Sequence, residues 1–182
     1  TLGEAHDIYY RLLTGTMGEG LPSGLYDQLS EAAGQAPADD QSYRTLFARG
    51  ATQSHADWQR SHEQRSVMRA AWARFFQDFD VMLCPVVQTL PFSHRHTPGP
   101  DQRTLTVNGV AQPYMDILVW VGLAGAVYLP AATVPIGLTE DGLPLAVQVI
   151  GPYLEDRTVL AFAAALESLV APLPQAPLAA PA

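Results

Sequence analysis

Residues 116–151, DILVWVGLAGAVYLPAATVPIGLTEDGLPLAVQVIG, decide the fold that this sequence predicts. No charged residue occurs from 117 to 139, so either protein or lipid must remove this segment from water. Glycines and prolines interrupt it, and a proline lacks the amide hydrogen that a helix interior needs. The segment therefore predicts a buried protein core, and a membrane helix is not expected.

The same segment divides into one helix and two strands. Its first half, rich in Leu, Val, Trp and Ala, predicts a buried helix. Residues 131–138 are apolar almost throughout, which predicts a strand buried on both faces. Residues 139–142, TEDG, form a polar turn, and residues 143–150 predict a second strand antiparallel to the first. We therefore expect a core made of a helix followed by a central hairpin.

Two stretches carry a resemblance to a known family. The first is similar to the C-terminal part of amidase signature family hydrolases. It consists of LAG followed by PAATVPIGLTEDGLPLAVQVIGP and YLEDRTVLAFAAALE. FFQDFDVMLCPVV, at residues 75–87, resembles the upstream stretch in which a helix runs into a strand ending at a proline. The resemblance extends over most of residues 43–170. It implies an α/β chain, the C-terminal part of that family's mixed-sheet α/β/α fold, rich in helix with a few central strands.

Composition indicates an incomplete domain. Charged residues make up 15% of the chain, against roughly 25% in typical soluble domains. A chain this apolar is expected to bury part of its exterior against more polypeptide or a partner. We expect residues 1–170 to form the C-terminal segment of an amidase-like domain that is incomplete without upstream chain. Residues 171–182, APLPQAPLAAPA, predict a disordered Pro/Ala-rich tail.

Charge and cysteine content narrow the function classes. The net charge is −8, and no basic cluster is interleaved with aromatic residues, so nucleic-acid binding is not expected. Cys84 is the single cysteine, which excludes an internal disulfide and fits a reducing compartment. We expect a cytoplasmic protein that does not use a membrane.

Helices are predicted on both sides of the central segment. Apolar side chains recur at helical spacing in the first part of the chain, and glycines follow the first two helices. Ser54, with Asp57 three residues on, predicts the N-cap of the fourth helix. A last helix begins after a cap at Glu155 or Asp156. The first four helices are predicted at about residues 4–16, 22–33, 43–49 and 55–78.

The fourth helix has two halves of different character. Residues 55–66, HADWQRSHEQRS, are mostly polar, which fits either a solvated helix end or the polar wall of a cavity. Its second half and the last helix each predict one apolar face. The inward residues are expected to be Met68, Ala71, Trp72, Phe75 and Phe76 in the fourth helix, and Val159, Leu160, Phe162, Ala163, Leu166 and Leu169 in the last.

Short strands precede the central segment. Residues 80–84 predict a strand that runs into Pro85. Residues 104–107 and 110–112 predict a small hairpin, because Asn108-Gly109 is a strong two-residue turn sequence.

Two other constellations fit ordinary structure better than catalysis. His94 and His96, spaced as HRH, have two imidazoles, but no cluster with metal-ligand spacing accompanies them. An exposed loop is therefore favoured over a metal site, and we expect no metal. Cys84 lies in the apolar stretch VMLCP, where a buried, inert thiol is the usual case.

The resembled family uses a serine nucleophile in a Gly/Ser-rich loop, activated by a second serine and by a lysine base. A serine hydroxyl needs such activation because it is a poor nucleophile by itself. This chain has no such loop, no G-x-S-x-G motif and no lysine. We therefore expect no catalytic residue here, and we expect this chain alone to be inactive. The alternative is a non-catalytic interaction or structural module that keeps the amidase fold.

The resemblance also implies a function for the complete protein. That function is hydrolysis of a carbon–nitrogen bond in a small amide through a serine acyl-enzyme, without metal or organic cofactor. The expected partner is the upstream, N-terminal catalytic portion of the same protein. A homo-oligomer is a further expectation, because open sheet surface has to be covered.

Five residues are candidates for contact with that substrate. Asp116 matches a family position that can contact a substrate amino group, although an acid in the first turn of a helix is also explained by the helix dipole. Trp120 has the character of a pocket wall or of core packing, as has Tyr128. The remaining three candidates follow the end of a strand, where ligand crevices of α/β folds lie. A simple turn imposed by Pro85 fits that position equally well. They are Val86, Val87 and Gln88.

Overall fold

The structure, a computed structural model, describes residues 1–170 and 172–173. Apart from 172 and 173, the predicted Pro/Ala-rich tail lies outside these residues. The α/β, helix-rich fold class predicted from the sequence is confirmed. The helices are α1 (Leu2–Gly18), α2 (Ser23–Gln35), α3 (Tyr43–Ala51), α4 (His55–Phe75), α5 (Leu118–Val127) and α6 (Asp156–Leu169). The strands are β1 (Met82–Pro85), β2 (Thr104–Val107), β3 (Val110–Pro113), β4 (Ala131–Leu138) and β5 (Pro144–Ile150).

Local sequence sets the helix ends. Thr1 and Glu4 form a capping box at the start of α1, in which each side chain accepts a hydrogen bond from the other residue's backbone. The predicted cap of α4 is confirmed, since the Ser54 hydroxyl accepts from the Asp57 backbone amide at 3.1 Å. At the other end of the core, α5 stops at Tyr128, whose φ of 62° is left-handed.

A three-stranded sheet holds the centre of the fold. Its strand order is β1-β5-β4, and both pairings are antiparallel. The predicted antiparallel hairpin of β4 and β5 is confirmed, with Ala131 opposite Ile150 and a register shift between Pro135 and Gly137. The small predicted hairpin of β2 and β3 is also confirmed, and its two turn residues have positive φ as Asn-Gly turns require.

The prediction that β4 is buried on both faces is wrong. Val134 is buried in β4, whereas Thr133, Pro135, Ile136 and Leu138 are exposed. The reason is that α6 covers one face of the strand, while little of the described chain lies over the other. The run of apolar residues in β4 therefore marks a surface left open in this chain.

Two apolar clusters lie on opposite faces of the sheet. On one face, Ile150 and Cys84 pack with Leu123 and Ala124 of α5, and part of α4 joins them through Met68, Trp72 and Phe76. On the other face, Val134 and Val149 pack with Val159 of α6. Helix α1 completes the helical side by packing on α3, α4 and α5.

Two predictions about helix faces need correction. The polar first half of α4 is not a simple solvated end, because Ser61 and Arg65 are buried there. Leu160 and Leu169 of α6, which were expected to face inward, are 62% and 83% exposed. Leu160 follows Val159 directly, so the helix turns it about 100° away from the buried side, and Leu169 is the last residue of α6. Within the described residues, no helix combines the length and the hydrophobicity that crossing a membrane requires.

Candidate functional site

A cleft of about 650 Å³ opens where β1 ends. It lies between the segment that follows β1 and the outer parts of β4 and β5. We call it the sheet-end cleft. Its lining residues are Pro85, Val86, Val87, Gln88, Thr89, Leu90, Pro91, Phe92, Thr106, Val107, Asn108, Thr133, Pro144, Leu145 and Ala146.

Strand register explains why the cleft is open. Thr133 of β4 and Cys84 of β1 both lie opposite Gln148 of β5, so their side chains share one sheet face. Helix α5 covers the inner part of that face, where the Gln148 Nε2 donates to the Trp120 carbonyl at 3.4 Å. Ala146, two residues before Gln148 in β5, is exposed, and so is Thr133 of β4. The outer part of the face is therefore the floor of the cleft.

The structure divides the five predicted contact residues into two groups. Val86, Val87 and Gln88 line the sheet-end cleft together. Asp116 and Trp120 do not line it. Trp120 packs on the helical side of the core, and Asp116 lies in a short 3₁₀ turn, Tyr114–Ile117, just before α5.

Asp116 belongs to a chain of hydrogen bonds between helices. The Tyr43 hydroxyl donates to Asp116 Oδ1 at 2.6 Å, and His6 Nε2 lies 2.7 Å from the same hydroxyl. Since the hydroxyl proton is used for Asp116, His6 donates from Nε2, and in the neutral imidazole Nδ1 then carries no proton. That Nδ1 is buried and has no partner in the described residues. Asp116 thus links α1 and α3 to the start of α5.

Burial dominates the ionisation of this group. It lowers the pKa of His6 below its usual value, although the charges of Asp116 and Asp7 oppose the shift. It raises the pKa of Tyr43, and the neighbouring Asp116 carboxylate adds to the effect. We therefore expect neutral His6 and neutral Tyr43 at pH 7.

The helix-dipole explanation of Asp116 does not describe its contacts. The residue before α5 is Ile117, and no side chain caps that helix end. No arginine or histidine forms a salt bridge with Asp116 in the described part of the chain. Sequence patterns missed Tyr43 as its partner, because the two residues are 73 positions apart.

A second cleft, of about 520 Å³, adjoins the first. We call it the basic cleft. It contains His94 and His96, and also Arg95, Arg103 and Tyr114. No group of three or more His, Cys, Asp or Glu residues suited to a metal ion occurs among the residues that the structure describes. The two clefts share residues 89–92 and Thr106.

Cys84 has the environment of a structural thiol. It is 5% exposed, and Gln148 Nε2 donates to its Sγ at 3.3 Å. Burial raises the pKa of the thiol, although the hydrogen bond from Gln148 opposes the shift. Because the thiolate is the nucleophilic form, we expect this thiol to be unreactive at neutral pH.

Sequence comparison connects the chain to known proteins. A family model described as Amidase matches residues 25–160. One of the subunits of glutamyl-tRNA(Gln) amidotransferase from Lysinibacillus sphaericus is 27% identical over 148 residues, which are 80% of this chain and 28% of that protein. Indoleacetamide hydrolase of Bradyrhizobium diazoefficiens is 33% identical over 112 residues, 61% of this chain and 20% of that protein. The chain spans less than a third of the length of these curated relatives.

Solved structures share the fold. A crystal structure of an amidase superposes with a TM-score of 0.66 at 18% identity, covering 93% of this chain and 36% of that one. A bacterial aryl acylamidase of the amidase signature family gives a TM-score of 0.65 at 20% identity, covering 92% of this chain and 34% of that one. At these identities the likeness concerns the fold alone.

Proposed function

This chain belongs to the amidase family, and from that premise we propose that it is the pocket-forming C-terminal part of an enzyme that hydrolyses the carbon–nitrogen bond of a small amide. The observation that carries the proposal is the sheet-end cleft. It is large enough for a small ligand, and its floor is a sheet face left uncovered in this chain.

The chemistry requires groups that this chain lacks. In a serine acyl-enzyme mechanism, the serine oxygen bonds to the amide carbon, and the amine leaves after taking up a proton. Water then attacks the acyl ester and frees the carboxylic acid and the serine. A base must remove the serine proton, and this chain has no lysine. We therefore assign the nucleophile and base to upstream polypeptide of the same protein, and no catalytic residue to this chain.

Three residues directly after β1 form one wall of the proposed pocket. Val86 and Val87 offer apolar surface, and Gln88 offers an amide that can both donate and accept hydrogen bonds. These side chains follow β1 directly, so a paired strand holds their backbone on one side. A rigid apolar wall with one polar group suits a small amide.

Asp116 and Trp120 have more distant roles in this proposal. A carboxylate can accept several hydrogen bonds, so Asp116 can receive an ammonium group while it still accepts from Tyr43. Trp120 supports the pocket from behind, because its carbonyl accepts from Gln148, whose strand forms the floor. Amine-bearing amides are therefore the substrates for which Asp116 matters.

The uncovered sheet surface indicates how the whole protein is arranged. The exposed apolar residues of β4 and β5 require a cover, and we assign that cover to the upstream catalytic portion. Residues 1–170 then act as the C-terminal segment of one amidase-like domain. We place the assembled enzyme in the cytoplasm, where the buried thiol of this chain stays reduced. A homo-oligomer is a second way to cover the surface.

The proposal is tested by assembling this chain with the upstream polypeptide and measuring amide hydrolysis. Val87→Trp, which fills the cleft, is expected to raise KM about tenfold, or 1.4 kcal/mol. Val67→Trp is the matched control, because Val67 is 71% exposed on α4. If Val87→Trp and Val67→Trp behave alike, the cleft is not the pocket.

A second experiment concerns the chain by itself. We expect no adduct with a serine-directed fluorophosphonate and no hydrolysis. A stoichiometric adduct with turnover would show an activated serine in this chain and overturn the assignment. An assembled protein without hydrolysis of any amide would instead support a non-catalytic module with an amidase fold.

A further inference from the structure

The basic cleft has a charge pattern opposite to that of the chain. The chain carries a net charge of −8. The cleft is nevertheless lined by Arg95, Arg103, His94 and His96, and no Asp or Glu is among its lining residues. Hydroxyl groups from Ser93 and from three threonines complete the polar part of its wall.

Arg103 is the most constrained of these cations. Its guanidinium carbon lies 4.7 Å from the centroid of the Tyr114 ring, and its Nη1 donates to the Arg95 carbonyl. Its Nε is buried without a hydrogen-bond partner among the described residues. A buried donor without a partner costs about 1–3 kcal/mol. The ring and the Arg95 carbonyl therefore hold the guanidinium in place, while the buried Nε is out of reach of a ligand in the cleft.

The two clefts adjoin each other. They share the segment 89–92 and Thr106, and a long hydrogen bond of 3.5 Å runs from the Thr89 hydroxyl to the Thr106 carbonyl. The basic cleft is therefore next to the site in which we place the substrate.

We propose that the basic cleft binds an oxyanion, either a carboxylate or a phosphate group, at the end of the substrate remote from the amide that is cleaved. Arginine suits this role because its planar donors match both groups in pairs, and the absence of carboxylates from the lining avoids repulsion. The oxyanion site stands on the cleft itself. The assignment of that oxyanion to one end of an amide substrate rests on the proposed amidase function.

The first test measures binding by this 182-residue chain. Nuclear magnetic resonance follows the side chains of Arg103 and His94 during titration with inorganic phosphate and, separately, with succinate. Ionic strength is held constant with chloride. Saturable shifts confined to the basic cleft are expected with at least one of the two anions, and the stronger anion identifies the group. Equal chemical-shift changes with both anions and with chloride would refute the proposed oxyanion site.

Variants separate the site from general charge effects. Arg103→Gln and Arg95→Gln are each expected to weaken binding of the tighter-binding anion about tenfold, or 1.4 kcal/mol. Arg157→Gln, which removes an exposed arginine on α6, is the matched control and is expected to bind like the parent chain. Arg95 is exposed, so its variant also answers the concern that a change at Arg103 disturbs the loop. Unchanged binding in both cleft variants would refute the proposal.

The second test uses the enzyme assembled with its upstream polypeptide. Two amides are compared that differ only in a distal carboxylate or the corresponding uncharged carboxamide. We expect kcat/KM to favour the acidic amide, and Arg103→Gln to reduce that preference about tenfold. Hydrolysis without such a preference would overturn the substrate assignment and leave the amidase function standing. Anion binding without hydrolysis of either amide would refute the amidase function and leave the oxyanion site standing.

Discussion

The guanidinium carbon of Arg65 lies 4.5 Å from the centroid of the Tyr128 ring. Arg65 is only 7% exposed, and no carboxylate pairs with it in the residues that the structure describes. Trp58 presents a second ring at 6.0 Å, and His62 contacts Nη2. Aromatic faces thus stabilise this buried cation where an acidic side chain would usually do so.

Replacing the Tyr128 ring is expected to destabilise the fold. Tyr128→Leu removes the cation–π contact and should lower the free energy of unfolding by about 1–2 kcal/mol. Urea denaturation measures the change. Tyr128→Phe is the control, because it retains a ring and meets the same left-handed backbone. Equal losses in the two variants would show that the ring contributes little.

A methyl group at Gly18 is expected to disrupt the contact of α1 with α3. A Cβ there would overlap the backbone carbonyl of Ala51, which no rotamer change can move away. Gly18→Ala should therefore cost about 1–3 kcal/mol of stability. Gly34→Ala is the opposite case, since its Cβ meets nothing within 4 Å and alanine favours a helix. Chemical denaturation that ranks the variants the other way would contradict the packing.

Cys84 is expected to resist alkylation in the folded chain. Burial keeps its thiol protonated and shields it from reagent. Iodoacetamide at about pH 7.5, a mildly basic condition for thiol labelling, should modify it only when urea unfolds the protein, as followed by intact mass. Ser93→Cys in a Cys84→Ala background places a thiol on the exposed loop and should react rapidly. Fast labelling of native Cys84 would disprove its burial.

The free energy of unfolding is expected to decrease as the pH is lowered, because of His6. Its folded-state pKa lies below 6.5, so below pH 6.5 the unfolded state takes up a proton that the folded state does not. The contribution of neutral His6 is therefore complete above that pH and is lost as the pH falls towards the folded-state value. His6→Gln should flatten this part of the curve of unfolding free energy against pH. An unchanged slope would assign the dependence to other groups.

Asp116 and Tyr43 distinguish substrate contact from support of the fold. In the assembled enzyme, Asp116→Ala is expected to raise KM for amine-bearing amides more than for their uncharged analogues. Tyr43→Phe removes the same hydrogen bond but keeps the carboxylate, so it should lower stability and change KM less. If Asp116→Ala leaves KM unchanged for every amine-bearing amide, the contact with substrate is wrong.

Local patterns predicted most of the secondary structure. The hairpin of β4 and β5, the Asn-Gly turn and the Ser54 cap each depend on residues that are close in sequence, so their signals survive without tertiary information. Val86, Val87 and Gln88 follow a strand end, where the fold class places ligand crevices, and they do line a cleft; their contact with a substrate stays a prediction.

Patterns of burial were less predictable. The apolar run of β4 is the same whether its second face is covered or open, so the sequence alone indicated burial where the structure has exposed residues. The polar residues 55–66 left a solvated end and a cavity wall both open, and the burial of Arg65 there depends on Tyr128, a ring from a distant segment.

The sequence by itself determined the family, the order of helices and strands, and the absence of a lysine base from this chain. Only the tertiary structure joined His6 and Tyr43 to Asp116, and only it gathered Arg95 and Arg103 into one cleft. The physical reason is the distance along the chain over which each kind of signal acts. Turn and helix signals act over a few residues of backbone, whereas a site is built from side chains that meet only after distant segments have packed together.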